Sequence, residues 1–358
     1  MTAMTSNPYD VVIVGAGPAG AGAAQAAAKF GIKVLLLDAS SHPERPVQCA
    51  EFVPREVKQY VQLVPGAVVQ NVRSMDIYIS DQQISSLAGS GYILNREVFD
   101  KSLVDSAVAA GAEFRPGTRA VAKTDVGLRI SGNGKDESIQ TQIIIGADGP
   151  RSTVGRWIKS ENRDYLVGLQ YTLPLSYERK SIDLHFKPEY RGGYAWLFPK
   201  GEGANVGVGV SRLHKEKLPN LLQQFVRDLA AQGKILDTLP SAQTGGLIPV
   251  GGPLVMTQAE NILLAGDAGG FTHPVTGGGI MPAIVSGEIA GTCAAQAIVN
   301  HDLGLLSRYP QQWQALLGGF LERAKRKRND LNTYWSEDRE QFAALIKRAW
   351  VGASETDF

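Results

Sequence analysis

The sequence predicts a mixed α/β chain (α+β overall): a parallel-sheet domain assembled from separated pieces, an antiparallel sheet inserted between them, and a helical carboxyl-terminal segment. Three observations predict it. A β-branched run, a glycine run and an alanine-rich run follow one another within the first thirty residues. Two further apolar runs, far downstream, end in Gly/Asp turns. Between Tyr165 and Val210 the pattern changes to short alternating segments separated by turn residues.

Bulk composition narrows the classes. A chain of 358 residues is long enough for one large or two interleaved domains. With 44% hydrophobic and 20% charged residues it reads as globular, and a formal net charge of +1 gives no reason to expect a nucleic-acid partner. Two cysteines, Cys49 and Cys293, exclude a disulfide framework, and no metal site is expected. The segment Met1 to Asp10 is polar and lacks the basic-then-apolar order of a signal peptide. Val11 to Ala28 is apolar enough to suggest a membrane span, but it is Gly/Ala-rich and carries Pro18 in its middle. A cytoplasmic protein is the expectation, with peripheral membrane contact left open. Nothing in the pattern speaks to oligomeric state.

Taken in order, Tyr9 to Val14 is a continuous β-branched run, as in a strand buried on both faces. Gly15-Ala16-Gly17-Pro18-Ala19-Gly20 follows at once, and an Ala-rich helix runs on to Lys29. Lys33 to Leu37 is a second buried strand, ending at Asp38. Gly15 permits the tight turn, Gly17 lets backbone approach a pyrophosphate, and Gly20 allows helix to pack on strand. Pro18 and Ala19 open a helix whose unpaired N–H groups and partial positive charge suit phosphates. Asp38, 18 residues past Gly20, is placed to accept hydrogen bonds from an adenosine ribose and argues against a 2′-phosphate there. Strand, glycines, helix, strand and acid in that order make a Rossmann-like dinucleotide site far more specific than the glycines alone.

The downstream turns select the dinucleotide. Ile143-Ile144-Ile145-Gly146-Ala147-Asp148 and Ile262-Leu263-Leu264-Ala265-Gly266-Asp267 are strands ending in a glycine and an acid. In a parallel sheet, ligands lie at the carboxyl ends of strands, so three such turns can line one elongated ligand. Asp267 suits ribityl hydroxyls, since a carboxylate accepts several bonds at once. Gly277-Gly278-Gly279-Ile280 then opens a helix from about Met281 to Val299, whose amino terminus would face the flavin edge where negative charge builds on reduction. The expectation is a non-covalent FAD.

With these residues in hand, the sequence resembles the flavoprotein superfamily of aromatic hydroxylases and geranylgeranyl reductases over roughly residues 9–300. The resemblance implies that Arg96, in Leu94-Asn95-Arg96-Glu97-Val98-Phe99-Asp100, joins Gly15, Gly17, Gly20, Asp38, Asp148 and Asp267 around FAD, with Gly277–Ile280 at the isoalloxazine. Read by itself, Arg96 is a surface charge in an Asn95-capped helix.

Short strands at Val167–Leu175, Ile182–Phe186, Tyr194–Phe198 and Ala204–Val210, with a further pair within 75–93, predict an antiparallel meander covering the isoalloxazine. Domain limits follow: residues 1–74, 94–164 and 255–300 for FAD, 75–93 and 165–254 for substrate, and 301–358 for carboxyl-terminal helices. Tyr194-Ala195-Trp196-Leu197-Phe198-Pro199-Lys200, followed by Asn205-Val206-Gly207-Val208-Gly209, is similar to the YxWxFP signature of the geranylgeranyl reductases. Alternation puts Tyr194, Trp196 and Phe198 on one face, where they form either an aromatic wall along an apolar substrate chain or a sheet core.

In Pro46-Val47-Gln48-Cys49-Ala50-Glu51-Phe52-Val53-Pro54, Cys49 matches a cysteine that the reductases carry near the flavin, but Glu51 departs from the family's small residues. A charged Glu51 in an apolar tunnel is costly unless paired. Cys49 reads equally as a buried small hydrophobe. His273, just before Pro274, is either a proton relay or an ordinary loop histidine. The basic run Arg323 to Arg328 could touch anionic lipid, but a solvated helix face is preferred.

The resemblance implies a reductase that saturates C=C bonds of a prenyl chain, with Cys49 as proton donor and Tyr194 or His273 behind it. Trp196, Phe198 and Glu51 are then pocket residues, and the substrate is a small molecule or lipid. One dinucleotide motif leaves NADPH or reduced ferredoxin to dock transiently as electron donor. The alternative is a flavin monooxygenase.

Overall fold

The computed structural model describes residues 9–43, 48–132 and 134–351. The polar amino terminus up to residue 8 and Pro46 and Val47 of the Cys49 segment lie outside them. The chain opens with β1 (Tyr9–Val14), α1 (Pro18–Ala28) and β2 (Val34–Leu37). There follow β3 (Phe52–Pro54), β4 (Val68–Ile79), β5 (Gln82–Leu94) and α2 (Arg96–Ala109). Next come β6 (Glu113–Arg115), β7 (Thr118–Thr124), β8 (Gly127–Gly132), β9 (Lys135–Gly146) and α3 (Thr153–Trp157). The middle holds β10 (Tyr165–Pro174), β11 (Ser181–Phe186), β12 (Ala195–Lys200), β13 (Gly203–Ser211), α4 (Leu218–Ala231) and β14 (Ala242–Pro249). The chain then runs through β15 (Gln258–Ala259), β16 (Ile262–Leu264), α5 (Ile280–Val299), α6 (Arg308–Trp313), α7 (Gly319–Tyr334) and α8 (Arg339–Ile346).

These elements fall into two compact units. One draws on Met1–Arg45, Glu97–Arg163 and Gly251–Glu322, the other on Pro46–Arg96, Asp164–Val250 and Arg323–Phe358. The carboxyl-terminal helices are shared, because the boundary falls inside α7.

The first unit is a sheet of order β15-β16-β9-β1-β2-β6, extended by the β7–β8 hairpin through β8 against β9. β16, β9, β1, β2 and β6 are parallel. Their β-branched and leucine runs are buried on both faces, as parallel strands between helices require. Helices α1 and α5 pack at backbone contact. A Cβ at Gly287 would lie 2.1 Å from the Ala19 carbonyl oxygen, and one at Gly291 would lie 2.1 Å from that of Ala23. The small residues of both helices are there because nothing larger fits. That also accounts for α5 being long and apolar enough to cross a membrane while 67% of its most apolar window is buried.

The second unit is one sheet of order β14-β10-β13-β12-β11-β4-β5-β3. Its neighbours are antiparallel except β11 and β4, which run parallel over Ser181–Phe186 and Ser74–Ile79. The expected meander is therefore interrupted. The β4–β5 hairpin comes from an earlier stretch of chain and is added beside β11, which local alternation could not show. Amphipathic α4 covers one face: Leu218, Leu222, Phe225, Val226 and Leu229 pack with Ala195, Leu197, Val206 and Val208. Each such side chain contributes about 1.5–3 kcal/mol when fully buried.

The basic run of α7 is not wholly a solvated face. Arg323, Lys325 and Arg326 are exposed, but Arg328 is buried and donates to the Gly192 carbonyl. Burial lowers its guanidinium to about 10, against which nearby Asp164 raises it.

On β11, Asp183 and His185 point to the α4 side, where a charged cluster is sealed. Asp183 is fully buried and pairs with Arg179 and with Lys234 Nζ at 2.8 Å. His185 is stacked on Tyr78 (ring centroids 4.3 Å apart) and edge-on to Phe225. Burial depresses His185, and its attraction to Asp183 does not restore it. The consequence for stability has a definite sign. Below the ordinary histidine value of about 6.5 the unfolded chain takes up a proton that the folded chain refuses. Stability is therefore lost as pH falls through that value, by at most about 1.4 kcal/mol per pH unit. Thermal melts between pH 7.5 and 5.5 are expected to show a smaller fall for His185→Phe, which keeps the aromatic contacts, than for the native protein.

Candidate active site

Strand register in the first unit brings four turns to one sheet edge. Val14 pairs with Leu37 and Gly146, and Leu264 pairs with Gly146, so the strands end level. The ladder continues into the turns, with Gly15 N donating to Leu37 O at 2.7 Å, Ala147 N to Val14 O at 2.8 Å and Ala265 N to Gly146 O at 2.9 Å. Gly15 has φ +103°, and a Cβ there would lie 2.3 Å from Ala147 O. A Cβ on Gly20 would lie 1.7 Å from Gly15 O. Gly17 is the opposite case: no protein atom lies within 4 Å of its would-be Cβ. Two of the glycines are thus demanded by the fold, whereas the third faces open space at the amino terminus of α1. That terminus has no side-chain cap and no acid in its first turn.

The acids are placed differently from one another. Asp38 accepts Ala16 N and Ser40 N, each at 2.8 Å, one on each oxygen. Each oxygen keeps a lone pair for a further donor. Asp148 is engaged locally: Ser152 Oγ and the N–H groups of Thr153 and Val154 donate to it, which ties it to the first turn of α3, whose cap is Ser152. Burial raises its carboxyl, against these hydrogen bonds. Asp267 Oδ1 accepts the Thr272 hydroxyl at 2.7 Å, and Gly266, just before it, donates its N–H to Ser286 Oγ at 3.0 Å. Arg96 is the first residue of α2 and lies in the second unit.

The Gly277–Gly279 turn is built around His273. His273 N donates to Gly278 O and Gly277 N to His273 O, both at 2.9 Å. His273 Nδ1 accepts Thr276 N at 3.0 Å. α5 then starts at Ile280 with no side-chain cap and no acid in its first turn.

In the second unit the Cys49 segment, β12 and β13 come together. Ala195 and Leu197 enter the α4 core, which leaves Trp196 and Phe198 on the other face. Trp196 lies on a glycine floor: a Cβ on Gly207 would sit 2.2 Å from its Cζ2, and ones on Gly168 and Gly209 would sit 3.6 Å away. Its indole N–H donates to Gln170 Oε1 at 2.9 Å. Tyr194 packs edge-on to Trp196 and Trp350 and close to Phe186. Burial, and after it the neighbouring Cys49, pushes the Tyr194 phenol well above the ordinary tyrosine range. Phe198 meets Phe52 edge-on at 6.0 Å.

Glu51 is 2% exposed and fully engaged. Its carboxylate meets Lys200 Nζ at 2.8 and 2.6 Å and accepts Asn205 Nδ2 at 2.7 Å. Its φ is +71°. A left-handed non-glycine residue costs about 1–2 kcal/mol, whereas stranding a buried carboxylate costs about 3 kcal/mol or more. The side-chain contacts therefore outweigh the backbone strain.

Residues 9–149 match the pyridine nucleotide-disulphide oxidoreductase model, and residues 164–244 match the geranylgeranyl reductase catalytic domain. Digeranylgeranylglycerophospholipid reductase 2 of Methanococcoides burtonii is 34% identical, over 95% of this chain and 88% of its own. The corresponding reductase of Methanocaldococcus jannaschii is 34% identical over 86% of this chain and 82% of its own. This chain belongs to the geranylgeranyl reductase family.

Among solved structures, a geranylgeranyl bacteriochlorophyll reductase-like protein of Thermoplasma acidophilum superposes with a TM-score of 0.77 at 25% identity, covering 96% of this chain and 97% of that one. The probable FAD-dependent monooxygenase PqsL of Pseudomonas aeruginosa, at 19% identity, shares the fold (TM-score 0.70, 95% of this chain, 100% of that chain). The reductase is accordingly an FAD-dependent oxidoreductase with a Rossmann-like fold, and the first unit fits that cofactor. Gly17 leaves the backbone approachable where a pyrophosphate must come close, and the uncapped first turn of α1 supplies the donors. Among the described residues no cluster of three or more His, Cys, Asp or Glu could hold a metal ion.

Sequence reasoning did not single out Gln170, Lys200, Asn205 or Trp350 as members of the Cys49 and Tyr194 surroundings. For Lys200 a signal existed: it follows Phe198 by two residues and so shares the face of Trp196. Gln170, Asn205 and Trp350 arrive by long-range pairing that no local pattern records.

Proposed function

We propose that this reductase saturates the C=C bonds of prenyl chains on a digeranylgeranyl-type glycerophospholipid. The observation that carries the reading is the match to the reductase catalytic domain across residues 164–244, the stretch that supplies Tyr194, Trp196 and Phe198. The pairing of Glu51 with Lys200 and Asn205 removes the obstacle to an apolar substrate, since no bare carboxylate faces it.

Gly15, Gly17, Pro18, Ala19, Gly20, Asp38 and Asp267 would hold FAD, with Gly266 and the Gly277–Ile280 turn at its ring and Arg96 and Asp148 supporting it. When bound and reduced by the electron donor, the flavin would supply hydride to one alkene carbon. The protein's part is to give a proton to the other, so that one π bond is replaced by two C–H bonds. An unactivated alkene does not stabilise a carbanion, so the acid must be held in place. Cys49 is that acid in this reading. Tyr194, kept protonated by burial, stands next to it. His273 serves to fasten the Gly277 turn. NADPH or reduced ferredoxin docks transiently to supply electrons, and a lipid substrate implies peripheral contact with a membrane.

The test is anaerobic photoreduction of the yellow protein followed by the unsaturated lipid. The expected result is reoxidation by the lipid and a product heavier by two hydrogens per double bond. A product heavier by one oxygen atom, formed only when air is admitted, would replace this reading with a monooxygenase.

A further inference from the structure

Cys49 is held at two points. The backbone N–H of Glu51 donates to Cys49 Sγ at 3.2 Å, and Gln170 Nε2 donates to the Cys49 carbonyl at 3.2 Å while its Oε1 holds the Trp196 indole. The first contact depends on the left-handed turn at residue 51, because Cys49 and Phe52 are both anchored on either side of it and any relaxation of that turn must be taken up by the peptide that carries this N–H. The turn is fixed by its own side chain. Lys200 and Asn205 hold the carboxylate, Asn205 Nδ2 also reaches the Ala50 carbonyl at 3.3 Å, and Leu94 N donates to the Glu51 carbonyl at 2.9 Å.

We propose that Glu51, clasped by Lys200 and Asn205, is a positioning residue whose own backbone N–H stabilises the thiolate left when Cys49 gives up its proton. The inference rests on Cys49 as the proton donor. A donor already aimed at the atom where negative charge develops needs no reorganisation during the step, and hydrogen bonds to charged acceptors are the strong ones. Among the described residues, Tyr194 and the Glu51–Lys200 pair are titratable groups beside this loop. Tyr194 stays neutral because burial raises it, and the charges of Glu51 and Lys200 offset each other. The Glu51 N–H meets the sulfur directly.

The decisive measurement is the pH dependence of Cys49 alkylation by iodoacetamide in the holoenzyme, read by peptide mass. Cys293 does not interfere, since it is 1% exposed and burial pushes its thiol up to about 11. Glu51→Gln unlocks the turn and is expected to raise the midpoint by about one pH unit, a tenfold loss of thiolate at fixed pH, with kcat down about tenfold and KM unchanged. A purely Coulombic role predicts the opposite sign, because removing a negative charge beside the sulfur and leaving Lys200 unpaired would lower the midpoint. Glu51→Gly, where glycine adopts the left-handed turn without a clasp, is expected to titrate like the native protein. A midpoint that falls or stays put in Glu51→Gln, or a Glu51→Gly variant that shifts as far as Glu51→Gln, overturns the proposal. Alkylation reads the thiol whether or not prenyl lipid is reduced, so failure here is separable from failure of the functional reading.

Discussion

Cys49→Ala is expected to bind FAD to full occupancy and to reduce prenyl lipid at least about 100-fold more slowly, the usual worth of a positioned general acid. The two effects separate because Cys49 belongs to one compact unit and the glycine edge to the other. Cys49→Ser should resemble alanine rather than cysteine, since a hydroxyl of the same reach is a far weaker acid. The measurement is the single-turnover rate at which the photoreduced enzyme is reoxidised by lipid without oxygen. A native rate in Cys49→Ala, with a large loss in Tyr194→Phe, would transfer the role to the buried phenol beside it.

The glycine run yields the second large effect as a contrast. In Gly20→Ala the new Cβ would lie 1.7 Å from the Gly15 carbonyl oxygen, with no flexible side chain to yield. Helix and strand must separate, and overpacking of this kind costs about 3 kcal/mol or more. The expected outcome is insoluble or colourless protein with a collapsed melting transition. In Gly17→Ala the methyl meets no protein atom within 4 Å. The apo-protein should therefore melt within a degree or two of native, while FAD affinity drops at least about tenfold because the methyl occupies the pyrophosphate's approach. Flavin absorbance per mole of protein and apo-protein melts separate the two. Equal damage in both variants would mean that Gly17 serves packing rather than the ligand.

The first unit was legible because its signals are local and mutually consistent. A buried strand, a glycine turn, a helix start and an acid within thirty residues leave little freedom, and the later turns repeat the logic at β9 and β16. The second unit was legible only in part. Alternation gave the faces of Tyr194, Trp196 and Phe198, and the packing of Ala195 and Leu197 under α4 follows from it. The parallel pairing of β11 with β4, over a hundred residues apart in sequence, carries no local mark. Glu51 shows the same limit in chemical form. As a single residue it stood as a costly charge in an apolar tunnel; with Lys200 and Asn205 beside it, it is a paired clasp. Arg328 is the converse, a buried member of a run whose composition read as surface.

The backbone contact between α1 and α5 bears on how the chain acquires its structure. α1 is complete by residue 28, yet its partner helix begins at residue 280, and β16, which flanks β9, begins at residue 262. A nascent chain therefore emerges with one side of its alanine helix uncovered until more than three quarters of the sequence has been synthesised. Closing so long a loop is slow, and the exposed apolar surface invites association meanwhile. Fragments ending before α5 should accordingly aggregate, whereas supplying α5 close to α1 by circular permutation should speed refolding.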